Sequence, residues 1–97
     1  MSSSAGKTAS ETRRHRLQFR SWHRGTKELD LILGPFADAT LTRMSDAELD
    51  QYEALLTEPD PDVYDWVAGR APVPAQRDSE VVQMLLAFHR RSKDHGT

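Results

Sequence analysis

At 97 residues the chain has room for one domain. A domain of this size buries only about 60% of the surface its unfolded chain exposes, so the core must be small. The chain has no cysteine, which excludes a disulfide scaffold, a thiolate zinc site and a thiol nucleophile. No apolar run approaches the ~20 residues of a membrane-spanning helix, and residues 1–16 lack the apolar stretch of a secretory signal. The formal net charge of −2 hides an asymmetry. Residues 1–27 hold seven Lys/Arg and one acid, Glu11; residues 28–65 hold eleven acids and one base, Arg43; residues 66–97 hold five bases and three acids. A basic arm suggests nucleic acid, but the acidic middle would repel a phosphate backbone. The pattern fits a protein partner with complementary patches better.

Residues 1–10 are small and polar and read as a disordered, solvated tail. A mitochondrial transit peptide has similar composition, but its removal would consume part of the first helix. Residues 11–23 read as a basic helix with His15, Phe19 and Trp22 on one stripe and Leu17 off it, closed by Gly25. Residues 26–41 read as a second helix, with Thr26 as N-cap and Leu29, Ile32, Leu33 and Phe36 facing inward. Pro35 removes one hydrogen bond; because Phe36, Ala37 and Leu41 stay in phase, a kinked but continuous helix is expected. Residues 45–57 open on a capping box, Ser45 with Glu48, flanked by Met44 and Leu49 as a hydrophobic staple. Residues 60–68 form a short helix, with Asp60 as N-cap, Pro61 in the first turn and Gly69 as the stop. After the stiff Pro72-Val73-Pro74 loop, residues 78–92 form the last helix, capped by Asp78, with Val81, Met84, Leu85 and Phe88 on its apolar face. No segment alternates as a strand would. The expected architecture is an all-α, compact five-helix bundle with short or kinked helices. Its boundaries are a disordered tail over 1–10, a single helical domain over 11–92 and a tail over 93–97.

Little in the chain marks catalysis. The histidines at 15, 23, 89 and 95 form neither an H-x-x-x-H nor an E-x-x-H pair, the acids between 46 and 65 lack EF-hand spacing, and the five glycines build no phosphate loop. No metal, catalytic residue or stably bound cofactor is expected. The segment that bears weighing is Arg24-Gly25-Thr26-Lys27-Glu28. Structurally, Gly25 is a turn, Glu28 meets the positive end of a helix dipole, and Arg24 and Glu28, four apart, pair. Functionally, Gly25 lets a partner's backbone approach, flanked by one positive and one negative group; such an arrangement fits docking better than catalysis. Phe19 and Trp22 nearby serve either as core or as an interface anchor.

The strings RSWHRGTKELDLILGPFADATL, MSDAELDQYEALL and EPDPDVYDWVAG, in that order, resemble the small succinate dehydrogenase flavinylation factors of bacteria and mitochondria. The family's R-G-x-x-E motif is matched by Arg24, Gly25 and Glu28, and its D-P-D-x-[YF]-x-W element by Asp60, Pro61, Asp62, Tyr64 and Trp66. The resemblance covers roughly residues 13–92. It implies a non-enzymatic assembly chaperone, which binds the succinate dehydrogenase flavoprotein subunit and promotes covalent attachment of FAD to a histidine of that subunit. Some bacterial members also act on the fumarate reductase flavoprotein. FAD belongs to the partner, and Arg24, Gly25 and Glu28 are implied as partner-binding residues. Thr26 departs from the methionine of many relatives. The extensions of mitochondrial members are missing, which points to a bacterial cytoplasmic protein, expected to be a monomer. Two alternatives predict different behaviour: a flavin carrier would bind free FAD, and a nucleic-acid module would bind generic DNA with steep salt dependence.

Overall fold

A computed structural model describes residues 9–95, and the side chains of residues 9–92. Within that range the chain forms five α-helices and two 3₁₀ turns: α1 (Ala9–Trp22), α2 (Lys27–Thr40), a turn at Leu41–Arg43, α3 (Asp46–Leu56), α4 (Asp60–Ala68), a turn at Ala75–Arg77 and α5 (Glu80–His95). The bundle is all-α, as the periodicity predicts. Of the tails expected over 1–10 and 93–97, residues 1–8 and 96–97 lie outside the described residues, while 9–10 and 93–95 are helical.

The core is built from one or two apolar stripes per helix. Leu17, Leu29, Leu33, Phe36, Leu49, Tyr52, Val63, Val81 and Leu85 are buried. Phe36 sits at the centre, 5.7 Å from the Tyr52 ring and 5.6 Å from the Phe88 ring in an edge-on contact. Such aromatic pairs add to area burial through ring quadrupoles. Pro35 lies inside α2 without ending it, so the helix is continuous through the proline, as expected.

The stripe on α1 is different from the one expected. Leu17 and Ser21, not His15, Phe19 and Trp22, are the buried positions, and Phe19 is 64% exposed. The reason is polar: the Ser21 hydroxyl donates to the Leu17 carbonyl (2.8 Å), which leaves the Tyr52 hydroxyl to donate to Ser21 Oγ. A serine that returns its proton to the preceding helical turn can enter a core. Burial pushes the Tyr52 phenol up to about 12. Trp22 is half-buried and lies across Gly34; a Cβ at Gly34 would sit 2.3 Å from the indole. Gly34 is therefore the seat of Trp22 and not merely a helix breaker. The indole N–H donates to Asp38 (3.2 Å).

Three caps are refined. The Ser45–Glu48 box is present in both directions, with Met44 and Leu49 buried beside it. Thr26 occupies the N-cap position of α2 but makes no side-chain cap. In α4 the cap position falls on Pro59, because the Asp60 carboxylate is taken by another partner. In α5 the cap is Ser79, whose hydroxyl accepts the Val82 N–H (3.2 Å); Asp78 instead accepts from Ser79 N–H and from Gln83. Gly69 ends α4 in the left-handed region, at φ 78° and ψ 17°.

Candidate functional site

The segment between α1 and α2 is held by an acid of α2. The Arg24 backbone N–H donates to Asp30 Oδ1 (2.7 Å), so an acid from the first turns of α2 reaches back to close the loop. Gly25 then reverses the chain at φ +122°, a backbone that side-chain-bearing residues rarely adopt. A Cβ there would meet only Asp60 Oδ2, at an ordinary 3.7 Å. Substitution at Gly25 thus strains the backbone without an internal clash, and a larger side chain would emerge beside Asp60.

Arg24 and Glu28 do not pair. Arg24 precedes the glycine and points to the other side of the loop. Its guanidinium donates to the Leu56 carbonyl, to the Glu58 carbonyl (2.9 Å) and to Asp60 Oδ1 (2.6 Å). With side-chain exposures of 10% for Arg24 and 24% for Asp60, this ion pair is largely removed from water. It satisfies carbonyls at the end of α3 and ties the start of α4 to the α1–α2 loop. Arg24 Nε is buried without a partner, so the two terminal nitrogens do the holding. The first and last letters of R-G-x-x-E thus have different fates. Arg24 is an internal latch; Glu28 is exposed and has no hydrogen bond or ion pair among the described residues.

Glu28 opens instead onto a surface hollow of about 320 Å³, lined by Thr26, Glu28, Asp60, Pro61, Tyr64 and Arg70. The hollow joins the two sequence elements, R-G-x-x-E and D-P-D-x-Y-x-W, into one place. Asp60 and Tyr64 line it, whereas Trp66 turns inward and is buried. Asp30 and Arg70 are the members of this region that sequence reading missed. An acid in the first helical turns was the available signal for Asp30; Arg70 has none in the local pattern.

The charge asymmetry is partly matched inside the molecule. On α1, Arg13 reaches Asp50 (2.5 Å) and Glu53 (2.7 Å), and Arg20 lies 3.9 Å from Glu53. Arg14 donates to the Leu41 and Met44 carbonyls (2.8 and 2.7 Å). Arg77 meets Glu58 at 3.0 Å. The basic first helix therefore lies along the acidic third, and much of what reads as a partner-binding arm serves packing. Three of its arginines, Arg13, Arg14 and Arg20, already have partners within the molecule. Among the described residues no group of three or more His, Cys, Asp or Glu side chains could hold a metal ion, and no helix is long and apolar enough to cross a membrane.

Fold and site together define a small all-α protein whose candidate site is an open, charged hollow between helix ends. A family model described as flavinator of succinate dehydrogenase matches residues 15–89, and the chain belongs to that family. It is 39% identical over 88 residues to the FAD assembly factor SdhE of Acetobacter pasteurianus, covering 88% of this chain and 81% of that protein. It is similar to the mitochondrial succinate dehydrogenase assembly factor 2 of Dictyostelium discoideum, at 36% over 75 residues, covering 77% of this chain and 53% of the relative. The Danio rerio protein of the same description is 38% identical over 82 residues, covering 82% and 52%. This chain spans about half the length of those two mitochondrial relatives.

Proposed function

We propose that this protein is an assembly factor for succinate dehydrogenase, which binds the flavoprotein subunit and promotes its covalent flavinylation with FAD. Membership of the flavinator family carries the reading. The site supports it: Glu28 is exposed and has no partner among the described residues, beside a glycine whose outward side is open. The protein acts by binding; the flavoprotein forms the bond to its own FAD. Preferential affinity for an attachment-competent arrangement of the flavoprotein would raise the population of that arrangement. Gly25 and Glu28 contact the partner, and Arg24 contributes by holding the loop. The fumarate reductase flavoprotein is a second client, the protein acts as a monomer, and it works in the bacterial cytoplasm, in keeping with its likeness to the Acetobacter protein.

The test is in-gel flavin fluorescence of the succinate dehydrogenase flavoprotein in cells with and without the gene, paired with capture of that subunit by the tagged protein. Capture, with loss of covalent flavin on deletion, is the expected result. Gly25→Arg should remain folded and fail to restore flavin. Unchanged flavin on deletion would sink the assembly-factor reading, and full rescue by a folded Gly25→Arg protein would remove Gly25 from the contact.

A further inference from the structure

The positive group beside Gly25 that a docking surface calls for is not Arg24, which is latched inside. The hollow offers another. Arg70 follows the left-handed Gly69, and its backbone N–H donates to the Asp65 carbonyl (2.8 Å), so the C-terminal cap of α4 fixes where the side chain starts. The guanidinium then lies 5.5 Å from the centre of the Tyr64 ring. A cation over an aromatic face is held in place yet keeps its N–H donors free. Arg70 is exposed and, among the described residues, has no carboxylate partner. Arg13, Arg20, Arg24 and Arg77 each have one. Arg70 and Glu28 line the same hollow without pairing with each other. Two opposite charges on one concave surface, neither neutralised among the described residues, favour a partner that brings the complementary pair.

We propose that Arg70, held over the Tyr64 ring, is a second partner-binding group, and that the hollow receives a flavoprotein segment presenting a carboxylate to Arg70 and a basic group to Glu28. This rests on the assembly-factor reading and names the chemistry of its docking site. Arg and Tyr are among the residue types enriched as interface anchors, and a planar guanidinium matches a carboxylate in two parallel bonds.

The experiment is titration of the purified flavoprotein subunit with wild-type protein, Arg70→Glu, Arg70→Gln, Glu28→Gln and Arg90→Glu, each checked for an unchanged melting curve. Arg90 is exposed on α5 and controls for net charge. Arg70→Glu should weaken binding by about ten-fold or more and Arg70→Gln by a few-fold, while Arg90→Glu stays within about two-fold. A second-site acid-to-arginine change on the flavoprotein that restores Arg70→Glu binding would identify the carboxylate. Wild-type binding by Arg70→Glu with weakened Glu28→Gln overturns the role of Arg70 and leaves the assembly reading standing. Equal loss in Arg90→Glu overturns it as a long-range charge effect. Binding of free FAD that Arg70→Glu abolishes would assign the hollow to the cofactor's phosphates and overturn the proposal. No binding by the wild-type chain overturns both readings.

Discussion

Arg13 on α1 reaches across to Asp50 and Glu53 on α3, and Arg14 caps the carbonyls of Leu41 and Met44. At the junction of α2 and α4, by contrast, Glu28 and Arg70 line one hollow and neutralise nothing within the described chain. The two regions use the same residue types to opposite ends. Where basic and acidic helices lie alongside each other, charges fix how the helices pack. Where two helix ends leave a hollow, charges stay open to solvent and available to a partner. The lesson is that regional charge counted along a chain overstates the surface field. What matters for recognition is the charge left after the fold has paired its own.

Arg24 and Glu28 give the widest separation between these behaviours, because they sit in one five-residue motif and belong to different regions. Arg24→Ala should cost about 3–5 kcal/mol, since it strands a shielded Asp60 and frees the α3 terminal carbonyls. In a domain of this size that lowers the melting temperature by more than about 10 °C. Glu28→Ala, at an exposed helix start, should change stability by less than about 1 kcal/mol and yet remove flavoprotein binding. Chemical denaturation of both variants, with covalent flavin scored in parallel, checks the contrast. Equal stability losses would erase the distinction between latch and contact.

Most of the fold was legible because each helix carries a complete local signal. The S-x-x-E box, the Pro-containing start of α4 and the glycine at 69 each act through neighbours within four residues, so their physics is written in the local sequence. Three features were not. Ser21 is buried only because Tyr52, thirty-one positions away, meets it. Arg24 pairs with Asp60 and not with Glu28, because the turn at Gly25 points it off the helix. The N-caps of α4 and α5 moved by a residue, since Asp60 and Asp78 had other partners. Of the candidate site, the motif letters were readable, but their division into one internal and two outward residues needed the loop geometry. Arg70 is placed by the cap of α4 and by a ring six residues earlier, a combination that no local pattern marks.

Tyr52 sharpens the packing half of the comparison through pH. Its phenol is buried and pushed up to about 12, from an unfolded value of 10.0. Below about pH 10 both states hold the proton and this group adds no pH dependence. Between about 10 and 12 the unfolded chain ionises while the folded one does not, so stability falls as pH rises, by about 2–3 kcal/mol in full. Tyr52→Phe should be less stable at neutral pH by about 1 kcal/mol, through loss of its bond to Ser21. Its denaturation midpoint should fall less steeply than that of the wild type over the alkaline window. Parallel alkaline slopes in the two proteins would mean that Tyr52 reaches solvent.

Gly34 probes the same packed side without touching any charge. A Cβ there would lie 2.3–2.6 Å from three atoms of the Trp22 ring, so Gly34→Ala must push the indole off α2 and away from Asp38. Overpacking of this kind costs about 1–3 kcal/mol, offset by up to about 1 kcal/mol because alanine is the better helix former. The net loss should be modest, and Trp22 fluorescence should report a more exposed indole. In a Trp22→Ala background the obstacle is gone, and Gly34→Ala should become neutral or stabilising, a reversal that a simple helix-propensity effect does not give. Flavoprotein binding should survive Gly34→Ala, since the hollow at the start of α2 lies outside the Trp22 contact. If binding falls with the indole's displacement while the melting temperature holds, then Trp22 belongs to the docking face as well, and the division between packed and open charge must be redrawn to include α1.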